Sequence, residues 1–243
     1  MSVLRAPLGE IERQRRPLRF GHVVVTIEDL LIVTWQISEI KLRVHLPPEI
    51  KPVIRDAHAL LSAVVFRNRA IRPAVAGFPR IHSCQMNLRS YVLDVETAAP
   101  GSVFFHGLFV SRPWLARLSA WVFGIPFQYL PMTIAAEYDG DRVISCEVRA
   151  SDGMIIRVHD ADISIDESTL DLVTNPHTAY FLDRRDRLRT WSIWHRPQEL
   201  QTMAVEQANG GKLAGFDLTT LPSALYVRSI DYEVYLPARE LRP

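Results

Sequence analysis

The chain has 243 residues, of which 48% are hydrophobic and 23% are charged. This composition is that of an ordinary globular protein with a sizeable core, and it excludes disorder as the main state. The formal net charge is +1, from 28 basic and 27 acidic residues, so the chain as a whole is not attracted to phosphate backbones or anionic membranes. We therefore expect no nucleic-acid partner.

The N-terminal segment and the cysteines bear on domain number and location. Residues 1–20 are charged and lack the apolar core and cleavage site of a signal peptide. We interpret residues 1–20 as a leader and residues 21–243 as a single domain of a cytoplasmic protein. Cys84 and Cys146 are too few for a disulfide framework, and we expect both to be reduced. The leader holds a basic cluster that we interpret as solvated: Arg13, Arg15, Arg16 and Arg19.

Strands are predicted along most of the chain. Apolar runs rich in β-branched and aromatic residues recur at short intervals, which favours strands with a few helices. Asp139-Gly140 and Asp152-Gly153 stand between such runs and supply the positive φ angles of tight turns, so three consecutive antiparallel strands are expected there. The second of them has a mixed pattern, and its buried face stays open. In chain order, the predicted strands are Leu30–Trp35, Leu60–Phe66, Ser90–Val95, Val103–Val110, Thr133–Tyr138, Val143–Val148, Met154–Val158 and Leu225–Tyr235.

Helices are fewer. Ser38–His45 begins at a residue suited to an N-cap, and Pro113–Phe123 has proline in its first turn and a glycine just past its end. Residues 53–65 fit either a helix or a strand, and we choose a strand. The uncharged stretch Leu118–Ala136 has 19 residues, but prolines inside it argue against a membrane-spanning helix. One side of the second helix should be lined by Trp114, Leu115, Leu118 and Val122.

Common cofactor and metal motifs are missing from the sequence. Gly210-Gly211-Lys212 lacks the spacing of a phosphate-binding loop, and the eight histidines have no short metal-ligand spacing. We expect neither a cofactor nor a metal. A Schiff-base enzyme needs a lysine in an apolar pocket, whereas the three lysines, Lys41, Lys51 and Lys212, lie in polar or turn-like surroundings.

Several segments, taken in order, carry a resemblance to a known family. After the opening Ile32–Ile50, they are Cys84–Val92, Pro100–Phe105, Phe123–Tyr129, Tyr180–Arg185 and Trp194–Pro197. Together they resemble an uncharacterised bacterial branch of the acetoacetate decarboxylase-like superfamily. The resemblance covers most of the chain, and the order of the motifs is more specific than any one of them.

The resemblance implies an α+β fold that is mainly antiparallel β, a cone-shaped barrel with a few flanking helices and an internal cavity for a small molecule. In the decarboxylases, a Gly-aromatic-Pro segment is followed by a lysine pair that forms a Schiff base. Here Gly124-Ile125-Pro126 is followed by Phe127 and Gln128, which cannot form an imine. The resemblance therefore supports the fold and the cavity and argues against the decarboxylase mechanism.

The candidate site residues are polar or aromatic groups on the strands and motifs that would line this cavity. Arg89 could hold a carboxylate or enolate, and alternation along a strand places Asn87 and Tyr91 on the same face. His195 and His106 are the candidate acid/base groups, because an unperturbed histidine titrates near neutrality. A structural role is the alternative for each of these three charged or titratable residues. The remaining candidates for substrate binding are Phe105, Phe127, Gln128 and Tyr129.

These features predict a small-molecule-binding barrel that acts as a lyase, isomerase or cyclase on a carbonyl or enolisable compound by non-covalent acid/base catalysis. The alternative functions are a ligand-binding or sensing module without chemistry and a structural partner protein. The arginine run over residues 184–189 is interpreted as a solvated or dimer-facing surface, which leaves homo-oligomerisation open.

Overall fold

The computed structural model describes residues 4–5, 15–19, 21–73, 81–196 and 199–241. Its helices are α1 (Glu39–Arg43), α2 (Pro113–Val122) and α3 (Glu167–Thr174), with a 3₁₀ helix at Gly211–Phe216. Its strands are β1 (Leu4–Arg5), β2 (Val23–Ser38), β3 (His58–Pro73), β4 (Ser83–Val92), β5 (Ser102–Val110), β6 (Gln128–Tyr129), β7 (Met132–Asp139), β8 (Arg142–Ala150), β9 (Ile155–Asp160), β10 (Thr178–Leu182), β11 (Leu188–His195), β12 (Glu199–Asn209) and β13 (Ser223–Glu240).

Seven strands form a closed barrel. Their order is β13, β2, β3, β4, β5, β10 and β11, and β11 pairs with β13 to complete the circle. All of these pairs are antiparallel except β5 with β10. Alternate residues of each strand point inward and fill the interior with apolar side chains from several strands, to which α3 adds Leu170 and Val173. The predicted mainly antiparallel α+β barrel is confirmed.

A second sheet covers one side of the barrel. The first half of β13 also pairs with β12, and the sheet continues through β9 and β8 to β7. Side chains of this sheet pack against the outward-facing residues of β2, β3 and β4, including Trp35 and Met86, to form a second core. The site described below lies in the barrel, and the outer sheet packs against the outside of three barrel strands.

The predicted meander is β7, β8 and β9, and its turns hold Gly140 and Gly153 at positive φ. The mixed pattern of β8 has a physical cause. Its pairing with β7 shifts beside Val143, so that Ile144 is an extra, exposed residue, while Cys146 and Val148 return to the buried face. A single alternating pattern could not fit a strand that contains this bulge.

The helices near Ser38 and Pro113 form as predicted, and Ser38 caps α1 by accepting from the Lys41 N–H. The apolar side predicted for α2 does not face the core as a unit. Leu115 and Ala116 are buried, whereas Trp114, Leu118 and Val122 are exposed. The apolar spacing was ambiguous because this helix carries large apolar residues on both sides, and only packing against β5 and β6 selects one of them. Among the described residues, no helix is long and apolar enough to cross a membrane.

We predict that α2 tolerates substitution on its Trp121 side. Trp121 is 85% exposed, so Trp121→Ser should change the free energy of unfolding by less than about 0.5 kcal/mol. Leu115→Ala, on the buried side of the same helix, should cost about 2–4 kcal/mol. Urea denaturation of both variants measures the contrast, and a larger loss for Trp121→Ser would contradict the observed orientation.

Part of the chain was not predicted. Strand β4 begins at Ser83, well before the predicted start at Ser90, and strands β10, β11 and β12 and helix α3 had no counterpart in the sequence analysis. Arg15 is not simply solvated, since its guanidinium pairs with Glu233 at 2.9 Å and lies 4.5 Å from the centre of the Trp194 ring. Arg13 and Pro197 lie outside the described residues.

Candidate functional site

Two residues of β4 bring polar groups into the apolar interior of the barrel. Arg89 is 7% exposed and Tyr91 is fully buried. They alternate along the strand and share its inner face, whereas Met86 and Leu88 pack into the outer core. The predicted common face of Arg89 and Tyr91 is therefore present, inside the barrel.

Hydroxyl groups from neighbouring strands extend this polar group. Arg89 donates from Nε and Nη2 to the Tyr91 hydroxyl, each at 3.3 Å. The Tyr91 hydroxyl lies 2.8 Å from the Ser62 hydroxyl, which lies 2.7 Å from the Thr34 hydroxyl. Because the Tyr91 oxygen accepts from Arg89, the Tyr91 O–H group is left to donate to the Ser62 hydroxyl. A chain of hydrogen bonds thus crosses β4, β3 and β2.

Arg89 has only neutral partners within the part of the chain that the structure describes. Its Nη2 also donates to the Val173 carbonyl of α3 at 2.7 Å, and no carboxylate of the described residues forms an ion pair with it. A buried guanidinium is usually paired with an acid, because desolvation of an unpaired charge is costly. The barrel therefore presents a cation whose charge is balanced by oxygen dipoles rather than by an anion of the chain.

His195 on β11 lies in the same interior. It is 2% exposed, and its ring makes hydrogen bonds with the backbone of Arg196, at 2.9 Å from Nδ1, and of Thr174. Burial lowers the pKa of His195 from its ordinary value, and the charge of Arg89 lowers it further, while the two backbone contacts oppose that shift. The structure thus brings Arg89 and His195 together, beside the end of α3, with His195 neutral near pH 7.

Three other predicted site residues lie on or beside the interior face. Asn87 is half-buried on the same side of β4 as Arg89, and its amide oxygen accepts from Gln85 at 2.9 Å. Phe105 is buried in the barrel with its ring centre 5.6 Å from that of Trp191. Phe127 is half-buried and packs at the edge of the same cluster. These residues form apolar and amide surroundings for the Arg89 group.

His106 lies elsewhere, contrary to its expected grouping with Arg89. It follows Phe105 on β5 and points to the opposite side, where its ring lies 5.2 Å from that of Phe216. Its Nε2 lies 3.0 Å from the Ser90 hydroxyl, and a backbone hydrogen bond joins its ring to His45. The pairing of β4 with β5 shifts at this point, so that His106 is an extra residue of β5 between Phe105 and Gly107, and its side chain lies outside the barrel interior. His106 therefore lies apart from the Arg89 group, between Ser90 and the ring of Phe216.

Burial lowers the pKa of His106 from 6.5 to about 3, which predicts a pH dependence of stability. Below pH 6.5 this histidine is protonated in the unfolded chain, whereas in the folded protein it stays neutral until about pH 3. Stability therefore falls as the pH is lowered through this window. Between pH 7 and 5 the wild type should lose about 2 kcal/mol more than His106→Gln. Urea denaturation at both pH values measures the two losses, and equal losses would contradict the prediction. His195 is present in both proteins, so its contribution to the pH dependence cancels in the comparison.

Gln128 and Tyr129 are also not brought to the Arg89 group. Both residues form the short strand β6, which pairs with the end of β5, and both are exposed. Their side chains point to solvent because β6 lies at the edge of the barrel. Of the three residues after Gly124-Ile125-Pro126, Phe127 therefore packs in the barrel cluster, whereas Gln128 and Tyr129 do not.

Ser62, Thr34 and the carbonyl groups of Val173 and Thr174 were missed by the sequence analysis. Ser62 is the one hydroxyl residue within the apolar run Leu60–Phe66, which is a usable signal for a buried polar group. The two carbonyls gave no signal, because any residue type could supply them. They become part of the site only through the position of α3.

Solved structures share the fold of this chain, an acetoacetate decarboxylase-like barrel. The enduracididine biosynthesis enzyme MppR, in complex with the condensation product of pyruvate and imidazole 4-carboxaldehyde, is 14% identical with a TM-score of 0.63, over 92% of this chain and 90% of that one. An acetoacetate decarboxylase-like enzyme from Sphingomonas wittichii is 14% identical with a TM-score of 0.62, over 93% and 94%. Acetoacetate decarboxylase from Legionella pneumophila is 11% identical with a TM-score of 0.64, over 100% and 98%.

The family is shown by the sequence itself. The model of DUF2071, a family of uncharacterized conserved proteins, matches residues 25–231, and the chain belongs to this family. No curated protein matches the sequence. The identities to the solved structures are low, so those structures support the fold, and the chemistry must be argued from the residues of this chain.

Proposed function

We propose that the barrel binds a small organic acid that carries a carbonyl or enolisable carbon, and that it exchanges a proton on that carbon without a covalent intermediate. The observation that carries the proposal is the buried Arg89, which has neutral partners alone among the described residues. A carboxylate or enolate would supply the missing charge and could accept from the N–H groups of Arg89 Nη1, which have no acceptor among the described residues. MppR, of the same fold, is described in complex with pyruvate, which supports this class of ligand.

A Schiff base is not part of this mechanism. The three lysines of the chain, Lys41, Lys51 and Lys212, are all exposed, so none of them is an amine inside the barrel. Phe127 and Gln128 stand where the resemblance implies the lysine pair of the decarboxylases. The substrate carbonyl must therefore be activated by hydrogen bonds alone.

The proton transfer uses His195 and Arg89. Neutral His195 takes a proton from the carbon next to the carbonyl, and the electron pair of the broken C–H bond moves onto the carbonyl oxygen to give an enolate. Arg89 stabilises this negative oxygen, because a fixed cation in a site with little water interacts strongly with developing charge. The backbone contacts of His195 with Arg196 and Thr174 favour the imidazolium once it has formed. Return of a proton to the same carbon gives proton exchange, and return to another carbon completes an isomerase step.

A proton-exchange experiment tests this function. The protein is incubated in D₂O with pyruvate, 2-oxobutyrate or acetoacetate, and NMR follows both saturable binding and replacement of hydrogen by deuterium beside the carbonyl. We expect the wild type to catalyse exchange. His195→Gln should abolish the exchange and retain binding. His106→Gln, which changes a histidine outside the barrel interior, should leave the exchange unchanged. Absence of binding by every compound would overturn the proposal.

The alternative is a sensing module that binds the same acid without chemistry. The replacement of the lysine pair by Phe127 and Gln128 favours it. The alternative would be established if the wild type and His195→Gln bound the acid with equal affinity and neither catalysed deuterium exchange. Arg89 would then keep its binding role.

A further inference from the structure

A cleft outside the barrel has the features of a second binding site. It has a volume of about 640 Å³ and lies where the outer faces of β2, β3 and β13 meet the Tyr138 end of β7. Arg67 of β3 and Arg228 of β13 both line it, together with Tyr138 and Ser229. No step of the proposed barrel chemistry uses these residues.

Asp29 organises the floor of this cleft. It is 4% exposed and has a φ of +52°, at a bulge where Asp29 and Leu30 stand opposite Phe66 alone. Its carboxylate accepts from the hydroxyls of Tyr138 and Tyr226 and pairs with Arg67 Nη2 at 3.0 Å. Left-handed backbone at a buried bulge is uncommon outside glycine and recurs at functional sites.

Arg67 is anchored by one nitrogen only. Nη2 donates to the Ile134 carbonyl at 2.8 Å and also pairs with Asp29. Nε and Nη1 have no protein acceptor among the residues that the structure describes, and 41% of the side chain is exposed. Arg67 is thus a positioned cation with donors to spare at the wall of the cleft.

Arg228 is the second cation at this cleft. Its guanidinium lies 5.2 Å from the centre of the Tyr138 ring, and the Tyr138 hydroxyl donates to Asp29, the partner of Arg67. Its acceptors are the Asp141 carboxylate, which is fully exposed, and the Gly140 carbonyl at 3.5 Å. An ion pair with a fully exposed carboxylate is weak and readily exchanged for another anion.

The acids at the cleft are already engaged. Asp29 is satisfied by Arg67 and two tyrosines, Glu28 pairs with Arg69, and Glu199 has a partner of its own. The N–H groups of the two arginines that these acids do not take, Nε and Nη1 of Arg67 among them, remain as donors at the cleft. We propose that this cleft binds a small oxyanion, the carboxylate or phosphate group of a metabolite, between Arg67 and Arg228.

The test uses inorganic phosphate and acetate as separate probes at constant ionic strength. NMR signals of the arginine Nε–H groups follow each titration in the full chain and in Arg89→Met, which removes binding inside the barrel. Arg228→Gln is the test variant, and Arg149→Gln is its matched control, because both side chains are 52% exposed and ion-paired on the surface.

We expect saturable shifts at Arg67 and Arg228 that persist in Arg89→Met. Arg228→Gln should raise the dissociation constant about tenfold, as expected for one charge-assisted hydrogen bond, and Arg149→Gln should leave it within about twofold. A response to phosphate alone assigns a phosphate ligand, and a response to acetate alone assigns a carboxylate. Titrations that stay linear with both probes, or equal effects of the two variants, would overturn the proposal.

Discussion

Replacement of Arg89 by methionine should lower the affinity of the barrel for a 2-oxo acid about 100-fold, since two charge-assisted hydrogen bonds of about 1.5 kcal/mol each are lost. The fold should survive, because the interior around Arg89 is apolar and a methionine of similar length fits such surroundings. Isothermal titration gives the dissociation constant, and urea denaturation gives the free energy of unfolding.

The two measurements separate a binding role from a structural one. A buried cation without a carboxylate among the described residues costs desolvation energy, which offsets the hydrogen bonds to Tyr91 and Val173 that the substitution removes, so stability should change by less than about 1 kcal/mol. A structural Arg89 predicts the reverse, lost stability with unchanged affinity. Arg149→Met is the control, because Arg149 forms a solvent-exposed ion pair with Glu147, which keeps Arg157 as a partner, so the variant should alter neither quantity appreciably. Unchanged affinity in a folded Arg89→Met would remove Arg89 from the site.

The barrel and part of its site could be predicted from the sequence for simple reasons. Turns with glycine at positive φ and long apolar runs define the meander and the central strands, and the order of the motifs indicates the family. The period of two along β4 puts Arg89 and Tyr91 on one face. The bulge that makes His106 an extra residue of β5 has no sign in the sequence, so the side that His106 takes could not be predicted from the period.

The rest of the site depends on tertiary structure. Helix α3 is short and half polar, so the helical spacing of its apolar residues is hard to recognise in the sequence. Its end nevertheless supplies the carbonyls that contact Arg89 and His195. Asp29 stands inside an apolar run and shows no sign in sequence of the left-handed backbone that β3 and β13 impose on it. Arg67 and Tyr138 meet at Asp29 from strands 71 residues apart, a distance that local pattern does not span.

Asp29→Ala should be the most destabilising single substitution that we predict, at about 3–5 kcal/mol. It removes the acceptor of two tyrosine hydroxyls and the partner of Arg67, and a buried donor left without its acceptor costs about 1–3 kcal/mol. Asp29 also raises the pKa of Tyr138 to about 12, after the larger effect of burial, so both tyrosines stay protonated donors across the physiological range. Equilibrium denaturation in urea measures the loss.

Two further variants assign this loss to its causes. Asp29→Asn keeps an acceptor oxygen and tolerates left-handed backbone, so it removes the charge alone and should cost less than Asp29→Ala. Glu28→Gln removes the neighbouring acid, whose partner Arg69 is exposed, and should cost no more than about 1 kcal/mol. If Asp29→Ala cost as little as Glu28→Gln, the contacts of Asp29 would contribute no more than a surface pair, and apolar packing alone would hold the outer sheet on the barrel. A large loss would instead show that the polar cluster at the bulge fixes the position of β7 and, with it, the wall that Arg67 forms in the cleft.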